Sequence, residues 1–501
     1  MTTQQNTSTL QAPRIAGLAR ALASEWAPLP VVLAGTFMVV LDFFIVNVAL
    51  PSMQRDLHAS SGSIEWVVAG YSLTSAVFLI AGARSGDKFG RRRAFSLGLA
   101  LFTLASAGCG VAAGPEMLVL ARLVQGIGAA LVMPNVLSII GVTYGGPRLA
   151  RALGVYGLVM GVAAASGQLI GGILVQADVL GLGWRSCFLI NVPIGLAALA
   201  LAPRVVPESR GQRGSRLDVG GTLLLTAAVT AIVLPLVEGR QHGWPLWTWV
   251  SLASAPLILL AFAAHQRRLA RRGGEPVMAP ALFRNRAFSV GLITQLVFWS
   301  GQASFFLVLA LYLQQGRGLS ALDSGLVFTI LAISYVVASA QAPALVARHG
   351  RRLIAAGALV LAAGHGLLLA AVAHIGDGGS IVYLIPGLLT VGAGMGLLIV
   401  PLTTTILSGV EPQYAGAASG AMTTMQNVGA ALGVAVTGVI FFGALHGGYA
   451  HALVLSLAQL AGLLVAVAAL TRLLPAGERE LPAGAAASTG ELGAAAVGEP
   501  A

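Results

Sequence analysis

The chain reads as an all-α integral membrane protein of fourteen transmembrane helices, two six-helix bundles with two further helices inserted between them. Three observations predict this. Of 501 residues, 56% are hydrophobic and only 9% are charged, whereas soluble domains carry about 25% charged residues. Apolar runs long enough to cross a bilayer, about 20 residues each, recur along the whole sequence. The basic residues are concentrated on alternate connections, the pattern of the positive-inside rule. Backbone groups in lipid must bond within their own segment, so runs of this length are helices and not strands.

The elements follow in order. Residues 1–28 form a cytoplasmic tail without the basic start and apolar stretch of a signal peptide. Spans 1 to 6 centre near Val40, Ser72, Leu104, Ala129, Ala164 and Leu196 and make an N-terminal bundle over 29–203. Residues 204–265 hold a basic cytoplasmic segment, Arg204 to Asp218, and two extra spans near Ala227 and Pro256. A basic linker over 266–286, with Arg267, Arg268, Arg271 and Arg272, leads into the C-terminal bundle over 287–472. Its spans centre near Ser300, Leu331, Leu361, Gly392, Ala430 and Leu463, and the Ala, Gly and Glu rich tail over 473–501 is expected to be disordered and cytoplasmic. An internal echo supports the division: Asp87-Lys-Phe-Gly-Arg-Arg92 follows span 2, and Ala347-Arg-His-Gly-Arg-Arg352 follows span 10. Repeated halves around a midplane site are a common plan for secondary transporters.

A net charge of +11 and a calculated pI of about 10.6 raise the question of nucleic acid, and the distribution answers it. With the N-terminus inside, only Arg55, Arg185, Arg240 and Arg317 of the 29 Lys and Arg fall outside, and Arg122 lies within a span. The charge serves topology, so no nucleic acid partner is expected and both termini are assigned to the cytoplasm. Cys109 and Cys187 lack the spacing of a metal site or disulfide and read as packing residues. Gly392-Ala-Gly-Met-Gly396 and Gly126-Ile-Gly128 lie inside spans, where small residues let helices approach closely. There is no phosphate-binding loop to suggest drive by ATP, and no metal or cofactor is expected.

The chemistry lies in the few polar residues inside spans. Asp42 sits near the middle of span 1, where a charge costs about 2.5–3.5 kcal/mol on insertion scales, and is the only acid deep in any span. Arg122 in span 4 needs a partner or a wet cavity for the same reason, and Asp42 is the natural candidate. A carboxyl's proton affinity rises with loss of water and falls beside a cation, so a movement that changes either makes it a proton switch. Asp42 is therefore expected to couple protons with Arg122 as modulator; a salt bridge that merely joins spans 1 and 4 is the alternative. Asn47 suits either an interhelical hydrogen bond or a cargo contact. Gln295, Trp299 and Gln302 fall at i, i+4 and i+7 of span 9 and so share a face. Polar groups beside an aromatic ring suit a large amphipathic ligand, with helix packing as the alternative. Gln426 and Asn427 in span 13 rank behind them, His365 in span 11 reads as structural, and Glu65 beside Trp66 reads as an interfacial anchor or, less simply, an outer proton acceptor.

The loop Gly82-Ala-Arg-Ser-Gly-Asp-Lys-Phe-Gly-Arg-Arg-Arg93 resembles the signature of the major facilitator superfamily, with Ala83 where the family usually has its first glycine. The resemblance implies that Asp87, Gly90 and Arg91 form a conformational latch at the cytoplasmic side; in the second-half echo Ala347 replaces the acid. Ala121-Arg-Leu-Val-Gln-Gly126 is similar to the Arg, two residues, Gln-Gly motif of proton-coupled members. Gly161-Val-Ala-Ala-Ala-Ser-Gly-Gln-Leu-Ile-Gly-Gly172 is similar to the drug-antiporter motif, with Gln168 in place of a proline. Gln125 and Gln168 thereby join the candidate cargo contacts. Leu41 to Pro51, Trp184-Arg-Ser-Cys-Phe-Leu-Ile-Asn-Val-Pro-Ile-Gly195 and Leu282-Phe-Arg-Asn-Arg-Ala-Phe288 look like the fourteen-helix drug:proton antiporter branch.

What the resemblance implies is a major facilitator fold and no enzyme activity. The expected function is proton-gradient-driven efflux of amphipathic drugs or antibiotics by alternating access, performed by a monomer in a bacterial cytoplasmic membrane. Its expected partners are a small amphipathic substrate and the lipid bilayer. Uptake or facilitated transport of a small metabolite in the same fold is the alternative. Lys88 is the sole lysine among the basic residues, a bias of GC-rich genomes such as those of antibiotic-producing actinobacteria, which makes self-resistance the expected setting.

Overall fold

The computed structural model describes residues 24–474 apart from 146, 211–217, 275, 277, 279, 408–409 and 411–414; the tails expected at the two termini lie largely outside the described residues. All regular structure among the described residues is helical. The long helices are α1 (Pro28–Asp56), α2 (Ser61–Phe89), α3 (Arg91–Gly110), α4 (Pro115–Thr143), α5 (Pro147–Ala177), α6 (Asn191–Val205), α7 (Val219–Gln241) and α8 (Leu246–Arg271). They continue as α9 (Arg286–Leu311), α10 (Ala321–His349), α11 (Arg351–Ile375), α12 (Ile385–Leu407), α13 (Ala415–Gly443) and α14 (Tyr449–Thr471). Twelve spans among the described residues are long and apolar enough to cross a bilayer, and α5, bent by 42° near its middle, makes a thirteenth. Counting α2, 29 residues long, the long helices among the described residues number fourteen, which agrees approximately with the expected spans.

Local chemistry sets the boundaries. Proline opens α1 and α4, where its missing N–H is no loss and its fixed φ suits a first turn. Ser60 caps α2 by accepting from Ser63 N at 3.1 Å, and Ser320 caps α10 by accepting from Asp323 N at 3.1 Å. Asn285 caps α9 through Ala287 N at 2.8 Å. Gly90 (φ 112°) turns α2 into α3, and Gly350 (φ 51°) turns α10 into α11. Both conformations are strained for a residue with a Cβ, so the sequence echo is also a structural one.

Packing then depends on glycine. Helices α1 to α6 pack together, as do α9 to α14, and the two groups meet along α5 with α10, α2 with α13, and α1 with α9. Where α13 crosses α9, a Cβ on Gly433 would lie 1.8 Å from the Ser300 carbonyl oxygen. A Cβ on Gly126 of α4 would lie 2.4 Å from Tyr71 O of α2, and one on Gly392 of α12 would lie 2.2 Å from Leu331 O of α10. These glycines are contact points between helices, as their place inside spans predicts. The inserted hairpin is asymmetric: α7 lies against both α2 and α13, whereas α8 packs chiefly on α7 and is otherwise exposed.

Between the groups lies an aromatic core. Phe44 of α1 and Phe306 of α9 meet edge to face with centroids 5.3 Å apart, and Phe328 of α10 follows at 5.7 Å from Phe306. Replacing Gly433 by alanine forces α13 and α9 apart and is expected to destabilise the protein by about 1–3 kcal/mol. Gly157→Ala, with nothing within 4 Å of its added carbon, is expected to be neutral. Thermal denaturation of the two purified variants compares them directly.

Candidate functional site

Asp42 and Arg122 meet inside the first six-helix group. Asp42 of α1 and Arg122 of α4 form an ion pair through Oδ2 and Nη1, with 0% and 1% of their surfaces exposed. A bare pair at such depth costs several kcal/mol per ion in lost hydration and stands only when other hydrogen bonds satisfy both partners. The surroundings supply them. Gln125 Nε2 and Asn191 Nδ2 donate to Asp42 Oδ1 at 2.8 and 3.2 Å. Arg122 donates from Nη1 to Gln125 Oε1 at 2.8 Å and from Nε to the Val67 carbonyl at 2.9 Å. Ser106 Oγ accepts from Gln125 at 3.2 Å and Asn191 at 3.0 Å and donates to Phe188 O at 2.9 Å. The Tyr71 ring lies 4.2 Å from the guanidinium carbon, adding a cation–π contact.

Five helices converge on this cluster for local reasons. Arg122 and Gln125, three residues apart on α4, share a face. Asp42 faces them because Gly167 and Gly171 let α5 press on the opposite side of α1. Asn191 begins α6 after the short turn Ser186–Leu189 and reaches the pair from its first turn. Sequence reasoning assigned no role to Asn191 or Ser106. Asn191 lies in the Trp184 to Gly195 stretch that carries the family resemblance, which was the available signal; Ser106 sits among small residues and gives none.

The remaining sequence candidates fall in several places. Gln125 belongs to the charge cluster, and its amide is occupied by Asp42, Arg122 and Ser106. Asn47 donates to its own helix, to Phe43 O at 3.1 Å and Phe44 O at 3.3 Å, and its buried Oδ1 has no partner. On α9, Gln295, Trp299, Gln302 and Phe306 form one stripe, and Phe306 touches Phe44 of α1, so the stripe faces the first group. Trp299 Nε1 and Gln302 Oε1 are buried without partners. Both polar atoms of Gln168, on α5 where α10 crosses, are likewise unpartnered. Gln426 and Asn427 are half-buried on α13, and Asn427 Nδ2 donates to Thr423 O at 3.0 Å within its helix.

The loop at Gly90 is held by an acid from the following segment. Glu208 pairs with Arg92 at 3.6 Å and Arg93 at 3.7 Å and accepts from Arg92 N at 3.1 Å. Arg91 N donates to Ser209 O at 2.8 Å. Asp87 stands near the end of α2, and its side chain lies outside the described ones. Glu208 escaped notice because an acid in a basic surface segment is unremarkable in sequence. Glu65 is a correction: an interfacial anchor faces the lipid boundary, but Glu65 is fully buried, its carboxyl against Gly438 of α13. The interfacial ring is Trp66, whose Nε1 donates to Glu238 Oε1 of α7 at 2.8 Å. His365 is buried, with Nδ1 2.8 Å from Leu361 O in its own helix, and both cysteines are buried and unbridged.

Removing one ion of the pair strands the other without water. Arg122→Leu is expected to cost about 3–5 kcal/mol of stability. Adding Asp42→Asn to it removes the stranded charge and is expected to restore a large part of the loss. Denaturation midpoints of the single and double variants in detergent decide the matter; equal midpoints would contradict the pairing.

The sequence profile of the Major Facilitator Superfamily matches residues 32–434. The chain is 40% identical to the probable actinorhodin transporter of Streptomyces coelicolor, over 84% of this chain and 73% of that one. It is 37% identical to the cephamycin export protein CmcT of Amycolatopsis lactamdurans, over 89% and 92%. Identity to the tetracenomycin C resistance and export protein of Streptomyces glaucescens is 33%, over 83% and 76%. Among solved structures, an inward-facing bacterial homologue of the lysosomal transporter Spinster aligns with a TM-score of 0.65 at 17% identity, covering 90% of this chain and 97% of that one. A POT family transporter in complex with 5-aminolevulinic acid aligns at 0.66 and 15%, covering 89% and 96%; at these identities the likeness concerns fold alone. The protein is a multi-pass membrane transporter and not an enzyme, and with its fold, its buried ion pair and these relatives it belongs to the Major Facilitator Superfamily.

Proposed function

We propose that the chain is a drug:proton antiporter that exports amphipathic, ring-bearing antibiotics across a bacterial cytoplasmic membrane and protects a cell that makes such a compound. The observation that carries this reading is the Asp42 carboxylate, fully buried and paired with Arg122 at the centre of a transporter. Relatives named for the transport of actinorhodin and the export of cephamycin and tetracenomycin C support the cargo class. The proton gradient supplies the energy, no cofactor enters the cycle, and a single copy carries every part it needs.

The chemistry follows from the contacts. With Asp42 ionised, the pair ties α1 to α4 and, through Val67 O, to α2. A proton on Asp42 cancels the attraction while Arg122 keeps its bonds to Val67 O and Gln125 Oε1. The neutral acid then needs an acceptor, and Asn191 Oδ1, buried without a partner, becomes one when its amide turns over. Protonation thereby frees α1 to shift against α4. Cargo sits between α1 and α9, where Asn47, Trp299 and Gln302 carry unpartnered polar atoms near Phe44 and Phe306, with Gln168 at the neighbouring seam of α5 and α10. These atoms are costly to bury unless a ligand satisfies them. The site contains no unpaired charge, which suits neutral or monocationic cargo.

The halves over 29–203 and 287–472 rock about this face, with α7 and α8 carried alongside. Both termini and the Gly90 and Gly350 turns are assigned to the cytoplasm by their arginines, with the Asp87, Gly90 and Arg91 latch at that side. Asp42→Asn is expected to abolish protonophore-sensitive efflux of ethidium, or of an aromatic polyketide, from cells with normal membrane expression. Undiminished proton-driven efflux would refute the assignment. Gln302→Leu is expected to raise the KM for export about tenfold, the loss of one good hydrogen bond, without lowering thermal stability; an unchanged KM would place Gln302 outside the cargo site.

A further inference from the structure

Helix α9 does not end as an α-helix. Its last turn, Tyr312–Gly316, is a π-helix, closed by Arg317 N donating to Tyr312 O at 2.8 Å. Such turns are rare and tend to occur at functional positions. Here the turn carries two adjacent glutamines that cross to the other half of the molecule. Gln314 Nε2 donates to the Val48 carbonyl of α1 at 2.8 Å, and Gln315 Nε2 donates to Gln54 Oε1 at 2.8 Å.

Both sides of the contact are built to receive it. On α1, Pro51 has no N–H to give the Asn47 carbonyl one turn back, and the neighbouring Val48 oxygen accepts from Gln314. On the second half, Tyr449 OH donates to Gln315 Oε1 at 2.7 Å, which orients the amide so that its nitrogen faces Gln54. The turn itself is clamped: Tyr312 OH donates to Gly376 O at 2.6 Å, and Arg317 donates to Gly376 O and Gly379 O. Gly316 is required, because a Cβ there would lie 2.6 Å from that of Tyr449. The nearby seams close as well, with Gly172 of α5 against Ala321 O and Gly325 of α10 against Gln168 O.

We infer that Gln314 and Gln315 are a polar latch which closes the two halves at this end, and that each transport cycle must break and remake it. The inference rests on the alternating-access reading above. Amides suit a contact that opens and closes, because two neutral hydrogen bonds contribute modestly and water replaces them when the end opens. An ion pair would hold too tightly, and an apolar contact would leave the Gln54 amide oxygen without its donor in the closed state.

Two measurements test it. In the first, Gln54→Cys and Gln315→Cys are combined in otherwise unchanged protein, whose own cysteines are buried. The pair is bridged in cells with a short, reducible bis-methanethiosulfonate reagent. Export of ethidium is expected to stop on bridging and return on reduction, while the parent treated in the same way is unaffected. A bridged protein that exports at the parental rate, or a pair that cannot be bridged, would overturn the latch. In the second, Phe306→Cys, between the halves, is labelled with a membrane-impermeant maleimide applied to whole cells. Adding Gln315→Leu is expected to raise the labelling rate about fivefold, as loss of one hydrogen bond shifts a two-state balance. An unchanged rate would refute the latch. Labelling needs no transport, so a parent that exports nothing would sink the export reading while this measurement still reports on the latch.

Discussion

The ion pair between Asp42 and Arg122 is the constraint on which the first half of the molecule is organised. Two charges at this depth have exchanged water for protein, and their attraction alone does not offset that loss. The fold compensates with Gln125 and Asn191 on the carboxylate, the Val67 carbonyl and the Tyr71 ring on the guanidinium, and Ser106 behind both amides. Helices α1, α2, α3, α4 and α6 must therefore stay in register with one another. A change in charge at Asp42 alters the balance for all of them at once, which is what a coupling group requires.

The second half is built differently. Among the described residues, the fully buried polar side chains of α9 to α14 are serine, threonine, glutamine and a single histidine, with no carboxylate or guanidinium. The buried charges of the described spans are thus gathered in the first half, and the buried polar groups of α9 to α14 are neutral. A packed aromatic path joins them: Tyr71 lies against Arg122, Phe43 is 6.5 Å from Tyr71, Phe44 is 5.2 Å from Phe43, and Phe306 is 5.3 Å from Phe44. Close-packed side chains transmit displacement and do not absorb it. Spatial continuity alone does not establish coupling; in the latch proposed above, the contact between α1 and α9 is the element with two arrangements.

The internal repeat shows how such a molecule diverges after duplication. Gly90 and Gly350 both hold a positive φ between equivalent helices, the first followed by three arginines and the second by two. Their surroundings have parted: Glu208 holds the first turn, whereas Arg351 in the second donates to the Leu474 carbonyl near the chain's end. Geometry that only glycine tolerates has outlasted the charges around it. The inserted α7, lying over both α2 and α13, covers one of the two long seams between the halves and leaves the seam of α5 with α10 uncovered by it.

The sequence by itself determined the helices, their approximate number and the identity of the two charged residues that pair inside the spans. Span length is set by bilayer thickness, and an aspartate or arginine inside an apolar run is too costly to be accidental. Both signals are local, so they survive without coordinates. Tertiary structure decided what those residues touch. Asn191 and Ser106 carry little insertion cost and no periodicity, and only the approach of α3 and α6 to α1 reveals them. Glu65 looked interfacial because sequence places it near a helix end, yet α13 buries it through a glycine far along the chain, Gly438. The π turn that carries Gln314 and Gln315 has no sequence signature, because it depends on how α9 meets Tyr449, Gly376 and α1. Costs borne along a single helix are legible in the order of residues; costs shared between helices become visible only when the helices are packed.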